Sequence, residues 1–236
     1  MRKVSHSMMH HVAGVEIPEG CMVSHVTTGG VWRVIQLAQT PQLLDWFNDP
    51  KRDAEKPALK GSPYLFGEKL HWREAWQMAR FSHTSCLTRN GVAEMTHPEA
   101  RVRTWVELVG SELRIMRPKV SSIALQKTAE NMRLVARSHA PYPKRELVAS
   151  WWRAGKWLRK WLGTEKFDKY FTDKDQNVCS GTYVDCLINA CGFHATDDNR
   201  NVSMALSRHH ITALTPAFLA WCMPEAFELV AEIEII

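Results

Sequence analysis

Cys179 stands just ahead of a segment whose apolar residues recur at helical spacing, and His83 stands inside a segment that reads as a strand. A thiol and an imidazole on rigid elements suit acyl transfer through a thioester. The thiolate attacks a carbonyl, and the imidazole removes the thiol proton and later returns it to the leaving group. That base needs an acceptor behind it, and Glu94 can serve if the strand register permits. His97, three residues further on, is the alternative orienter. Around the cysteine, Ser180, Gln176 and Tyr183 are candidates for oxyanion donors or cleft lining, Tyr183 lying one helical turn beyond Cys179.

The elements that must hold these groups follow from local pattern. Val184, Leu187, Ile188 and Cys191 fall at i, i+3, i+4 and i+7, and Gly192 follows them, so a helix is expected from about Ser180 to Cys191. Cys179 then sits at the positive end of that helix, where free backbone amides favour a thiolate. Residues 81–87 and 92–95 flank Arg89-Asn90-Gly91, whose Asn-Gly pair signals a tight hairpin, and this brings Glu94 back beside His83. Residues 101–108 and 113–116 add two further expected strands. Cys86 lies an odd number of residues from His83 and should point to the opposite face, which makes it a poor alternative nucleophile.

Upstream, a turn at Pro18-Glu19-Gly20, a short apolar run from Cys21 to Val26 and a Gly29-Gly30 break precede VWRVIQLAQ, which has helical spacing. Residues 45–72 are rich in Pro, Gly and charge and read as a loop-rich insertion that can conceal a short helix. Residues 121–137 are helical by apolar spacing. After Pro141 and Pro143, a second helical run carries Trp151, Ala154, Trp157, Leu158, Trp161 and Leu162 on one face and Arg153, Lys156, Arg159 and Lys160 on the other. Together, 121–163 reads as a helical insertion or lateral subdomain of one catalytic domain spanning residues 1–236. The Trp-rich run fits two roles: packing against the sheet, or weak association with an anionic membrane through Arg153, Lys156, Trp157, Arg159, Lys160 and Trp161.

Composition narrows the classes. The chain has 236 residues, 45% of them apolar, enough for a sizeable core. Its net charge of +5 comes from 30 Lys and Arg against 25 Asp and Glu. That excess is mild and dispersed, so nucleic acid is not an expected partner. No run approaches the roughly 18 apolar residues of a membrane span, and the N-terminus lacks a signal-peptide core. A cytoplasmic location is the default expectation, with delivery to the cell envelope by another route left open. Six cysteines without dense spacing favour a reducing compartment. The histidines include His10-His11, His25, His71 and His209-His210, but no metal-ligand spacing accompanies them, and neither metal nor cofactor is expected.

The segments FSHTSCLTRNGVAEMT, NVCSGTYVDCLINACG and ITALTPAFLA, in that order, resemble the permuted papain-like amidases of the YiiX and YaeF type. These are related to the NlpC-type cell-wall peptidases and the lecithin:retinol acyltransferases. The matching features are Ser82-His83 entering a core strand, acidic Glu94 ending the next, and Cys179-Ser180 opening a helix. The early stretch IPEGCMVSHVTTGGVWRVIQL is similar to the family's opening strand and helix, with Gly20-Cys21 where Gly-Asp is usual. Two departures are Gly181-Thr182 after the Cys-Ser pair and the two helices expected between the histidine strand and the cysteine helix.

The resemblance implies an α+β, permuted papain-like (NlpC-type) fold, with a small antiparallel sheet packed on the cysteine helix and an inserted helical subdomain. It further implies a cysteine-dependent hydrolase acting on an amide or peptide bond, with a peptidoglycan-derived peptide among the substrates. An acyltransferase or lipid-ester hydrolase using the same thiol and imidazole is the nearest alternative. A catalytically inert binding module is the other.

Overall fold

The computed structural model describes residues 2–5, 11–12, 15–26, 30–52, 69–96, 98–141, 179–209 and 214–236. It is an α+β structure built on a curled, mixed seven-stranded sheet with six described α-helices. The strands are β1 (Arg2–Val4), β4 (Met22–Val26), β5 (Phe81–Thr88), β6 (Gly91–Met95), β7 (Ala100–Thr104), β8 (Glu112–Pro118) and β9 (Phe227–Ile235), in the order β1-β9-β8-β4-β5-β6-β7. The pair β2 (His11–Val12) and β3 (Val15–Glu16) forms a separate hairpin. The helices are α1 (Gly30–Phe47), α2 (Trp72–Met78), α3 (Ser122–Arg137), α4 (Cys179–Phe193), α5 (Asp197–Ser207) and α6 (Pro216–Trp221).

The small antiparallel sheet expected from the turns is therefore larger and mixed: β9 joins it beside β8, and β1 pairs parallel to β9. Expected strand 101–108 ends at Thr104 and passes into a 3-10 turn, Val106–Leu108, which tucks Leu108 into the core. The helix after Gly29-Gly30 is also longer than expected. It runs 18 residues through Pro41 and absorbs the start of the 45–72 stretch. A second short piece of that stretch is the 3-10 turn Pro50–Arg52. Asn48 fastens its far end, accepting from the Leu70 amide and donating to the Leu70 carbonyl, both at 2.9 Å.

Two apolar layers hold the sheet. On one face Met22, Cys86, Ala93 and Phe227 pack with Leu43, Met78, Ala129, Tyr183, Leu187 and Trp221 from the helices. On the other, Val23, Leu87, Val92, Ile115 and Ile233 gather with Trp105 and Leu108. α3 belongs to the first layer through Ala124, Leu125, Ala129, Met132 and Ala136, which lie on one stripe at helical spacing. Ser121 caps it by accepting from the Ala124 amide.

Gly20 explains how tightly the turn before β4 is set. Its φ is +91°, and a Cβ there would stand 2.1 Å from the Leu125 carbonyl oxygen of α3. Its own carbonyl accepts from the Tyr183 hydroxyl at 2.8 Å, so strand, α3 and α4 meet at one backbone position. Gly20→Ala is expected to cost at least about 2 kcal/mol, because both the positive φ and the contact with backbone resist any side chain. A denaturant midpoint unchanged from the wild type would disprove that account.

Arg114 organises the far side of the same layer. It is 3% exposed, lies 3.5 Å over the Trp221 ring, donates to the Ala220 carbonyl at 3.1 Å and pairs with Glu232. Strand β8 is thereby tied to β9 and to the end of α6. Removing one member of a buried charge pair strands the other, so Arg114→Met is expected to lose about 3 kcal/mol, read from urea unfolding.

Candidate active site

Four adjacent strands present one polar face at the end of the sheet. Antiparallel register sets His25 of β4 opposite His83 of β5, Ser85 of β5 opposite Glu94 of β6, and Glu94 opposite Arg101 of β7. Side chains alternate along a strand, so these residues and Arg103 share a face. His83 Nε2 and Glu94 Oε2 are 2.9 Å apart, a diagonal cross-strand contact between residues that are 2% and 1% exposed.

The hairpin that makes this contact turns through Arg89 and Asn90, with Gly91 as the first residue of β6. Glycine is needed at 91 because a Cβ there would sit 2.0 Å from the Arg103 carbonyl oxygen of β7.

Cys179 is the first residue of α4, inside the helix rather than before it, and α4 runs past Gly192 to Phe193. Glycine does not stop the helix here because its φ is not in the left-handed region. The thiol is 3% exposed and packs with Met95 and Ala100. It acts electrostatically on His83, raising the pKa of the imidazole. Regular alternation along β5 would turn His83 away from the helical layer. The register slips at this point, His25 pairing with His83 but Val26 with Phe81, so β5 carries an extra residue beside His83. Such a bulge re-aims side chains at a strand end. It returns Phe81 to the helix-facing layer and lies where the imidazole meets the first residue of α4.

The electrostatics follow from burial and charge. Burial disfavours the imidazolium of His83, but the electrostatic pull of Cys179 and Glu94, with the hydrogen bond to Glu94, outweighs that penalty and lifts its pKa to about 10. Burial likewise acts against the Glu94 carboxylate. His83, through charge and hydrogen bond, with Arg103 behind it, holds Glu94 down at about 2. Glu94 also lies 3.3 Å from Arg103 Nη2 and 3.6 Å from Arg101 Nε. His83 thus carries its proton at neutral pH, beside the anionic Glu94 carboxylate.

Of the other expected site residues, Ser180 is buried in the first turn of α4, at 1% exposure. Tyr183 lies in the apolar layer with its hydroxyl committed to Gly20, which makes it a packing residue rather than a cleft wall. Gln176 and His97 lie outside the described residues, as do Arg153, Lys156, Trp157, Arg159, Lys160 and Trp161. Among the described residues, no three His, Cys, Asp or Glu side chains are grouped to hold a metal ion, and no helix is long and apolar enough to cross a membrane.

Sequence reasoning did not connect His25, Ser85, Arg101 and Arg103 to the site. The signal was available in part: once the Asn90-Gly91 hairpin fixes Glu94, alternate arginines at 101 and 103 on the next strand share its face. The placement of β4 next to β5, which brings in His25, depends on long-range pairing that no local motif announces. No known family model, curated protein or solved structure matches this chain, so its chemistry rests on the site's own geometry.

Proposed function

We propose that this protein is a cysteine-dependent hydrolase of the permuted papain-like type, cleaving an amide or peptide bond through an acyl-enzyme on Cys179. The observation that supports this best is a buried series of three groups, with His83 Nε2 2.9 Å from Glu94 on one side and the imidazole electrostatically coupled to Cys179 on the other. With Nε2 directed to Glu94, Nδ1 is the ring nitrogen suited to serve the thiol. The order along the chain, histidine strand before cysteine helix, suits a permuted scaffold.

In this mechanism the Cys179 sulfur attacks the substrate carbonyl carbon as a thiolate, its proton held on His83. The oxyanion is met by backbone amides at the start of the described part of α4, at Cys179 and Ser180. His83 then gives its proton to the leaving amine as the carbon–nitrogen bond breaks. Water, deprotonated by His83, attacks the thioester and releases the acid and the thiolate. Glu94 remains ionised and keeps the imidazole oriented. A cell-wall peptide is the substrate class favoured by the sequence resemblance. Transfer to another acceptor in place of water would make the same site an acyltransferase.

A second reading, an inert binding module, is favoured by the burial of Cys179 against Met95 and Ala100. Substrate can reach that sulfur only if the structure opens locally around the start of α4. Incubation with peptidoglycan fragments and with p-nitrophenyl esters of short and long acyl chains, followed by intact-mass analysis, separates the readings. A hydrolase gives a transient acyl adduct mapped to Cys179, and Cys179→Ala loses turnover by roughly 10³-fold or more. Persistent absence of both adduct and turnover would leave the binding module.

A further inference from the structure

Arg103 lies between two buried acceptors. Its Nη2 is 3.3 Å from Glu94 Oε2 and 3.1 Å from His25 Nδ1. A guanidinium only donates, so His25 Nδ1 must be the unprotonated nitrogen. Nε2 then carries the hydrogen and donates to Ser85 Oγ, with which it is paired. The Ser85 hydroxyl passes the chain on by donating to the Val23 carbonyl at 3.3 Å. Every bond in this series requires one tautomer of neutral His25. The ring is 1% exposed and its centroid is 5.4 Å from that of His83, so a second positive charge there is disfavoured. The charged groups that face it are His83 on β5, Glu94 on β6 and Arg103 on β7, and burial with His83 and Arg103 holds its pKa below the ordinary histidine value against the pull of Glu94.

We infer that His25 is a positioning residue: as the neutral Nε2–H tautomer it draws Arg103 partly off Glu94 and so keeps Glu94 Oε2 available to orient His83. This rests on the thiol and imidazole reading of the site. An arginine beside a carboxylate tends to take both oxygens in a parallel fork. Here His25 Nδ1 occupies one guanidinium hydrogen, and Glu94 Oε2 stays within 2.9 Å of His83. Without that acceptor Arg103 can close on Glu94 and compete with the imidazole.

The test compares His25→Asn, whose amide oxygen can stand near the Nδ1 position and face Arg103, with His25→Gln, whose amide reaches the Nε2 position and serves Ser85 alone. The readout is the rate at which iodoacetamide labels Cys179 at about pH 6, mapped by mass spectrometry, in wild-type and Glu94→Gln backgrounds. His25→Gln is expected to slow labelling roughly tenfold and His25→Asn by no more than about threefold. The His25→Gln effect should largely vanish when Glu94 is already Gln, because the two act in series. Equal slowing by both variants, or a full His25→Gln effect without Glu94, overturns the inference while leaving the thiol and imidazole reading intact, since a His83→Ala control reports that separately. If wild-type Cys179 shows no preferential labelling, both fall. A measurement on the unaltered protein guards against misfolded variants: imidazole ¹⁵N shifts of His25 should show the Nε2–H tautomer around neutral pH, and an Nδ1–H or imidazolium pattern overturns the inference.

Discussion

Iodoacetamide at about pH 6 is expected to label Cys179 ahead of Cys21, Cys86, Cys186 and Cys191, and His83→Ala should slow that labelling by roughly two orders of magnitude. The selectivity follows from what burial does to the competitors. It pushes Cys21 and Cys186 to about 12 and Cys191 to about 11, and it holds Cys86 well above the ordinary thiol range. None of these four has a histidine among the causes of its shift, so at this pH each stays a thiol. Cys179 instead interacts electrostatically with the His83 imidazole, which keeps its proton up to about pH 10.

An ion-paired thiolate is the reactive form, whereas an ordinary thiol with pKa near 8.5 is ionised at pH 6 only to roughly one part in three hundred. In the proposed mechanism His83 holds the proton taken from the sulfur, so removing His83 removes the base that generates the nucleophile, which sets the size of the effect. The site is buried, so local opening scales the absolute rate, but it scales wild type and variant alike where the opening is unchanged. Peptide mapping after labelling at a series of pH values checks the result. Labelling of Cys179 that is slow at low pH and indifferent to His83 would remove the chemical basis of the proposed activity.

The parts of this site that were legible in the sequence are those fixed by local pattern. Val184, Leu187 and Cys191 are buried at helical spacing because α4 lays one stripe on the core, and this spacing located the helix that begins at Cys179. The Asn90-Gly91 signal located the hairpin, and a hairpin brings the strand after His83 back beside it whatever lies elsewhere in the chain. The illegible parts depend on non-local pairing. Nothing near His83 in sequence announces the extra residue in β5, which arises where β4 and β5 lose register. β9, which lies between β8 and the edge strand β1, places Glu228, Glu232 and Glu234 among its apolar residues, and its alternation becomes regular only at Ile233 and Ile235. β1 contributes three residues and pairs across nearly the whole chain length, so its strand character comes from its neighbour. The polar brace of His25, Ser85 and Arg103 belongs to the same class: three strands supply it, and their side-by-side order is a property of the assembled sheet.

Glu94→Gln is expected to lower stability by about 3–5 kcal/mol at pH 6 and to flatten the alkaline loss of stability seen in the wild type. The amide leaves the buried His83 and the partly buried Arg103 without their shared anion, which is the costly way to break a buried pair. The pH dependence has a definite sign. His83 rises in the folded protein to about 10 from an ordinary 6.5, so its contribution is fully present below about 6.5 and is lost as pH rises through about 10. Glu94 falls to about 2 from an ordinary 4.5, so its contribution is present above about 4.5 and is lost as pH falls through about 2. Both are complete between those ordinary values, from about pH 4.5 to 6.5. In Glu94→Gln the imidazolium keeps only its Cys179 partner, so the decline from about pH 6.5 towards 10 should be shallower and the two stability curves should converge at high pH. Urea midpoints for both proteins at about pH 5.5, 7.5 and 9.5 measure this directly, and ionisations elsewhere in the chain cancel in the difference. Parallel curves would mean that Glu94 does not hold the His83 proton, and His83 would then depend on Cys179 alone for its charge.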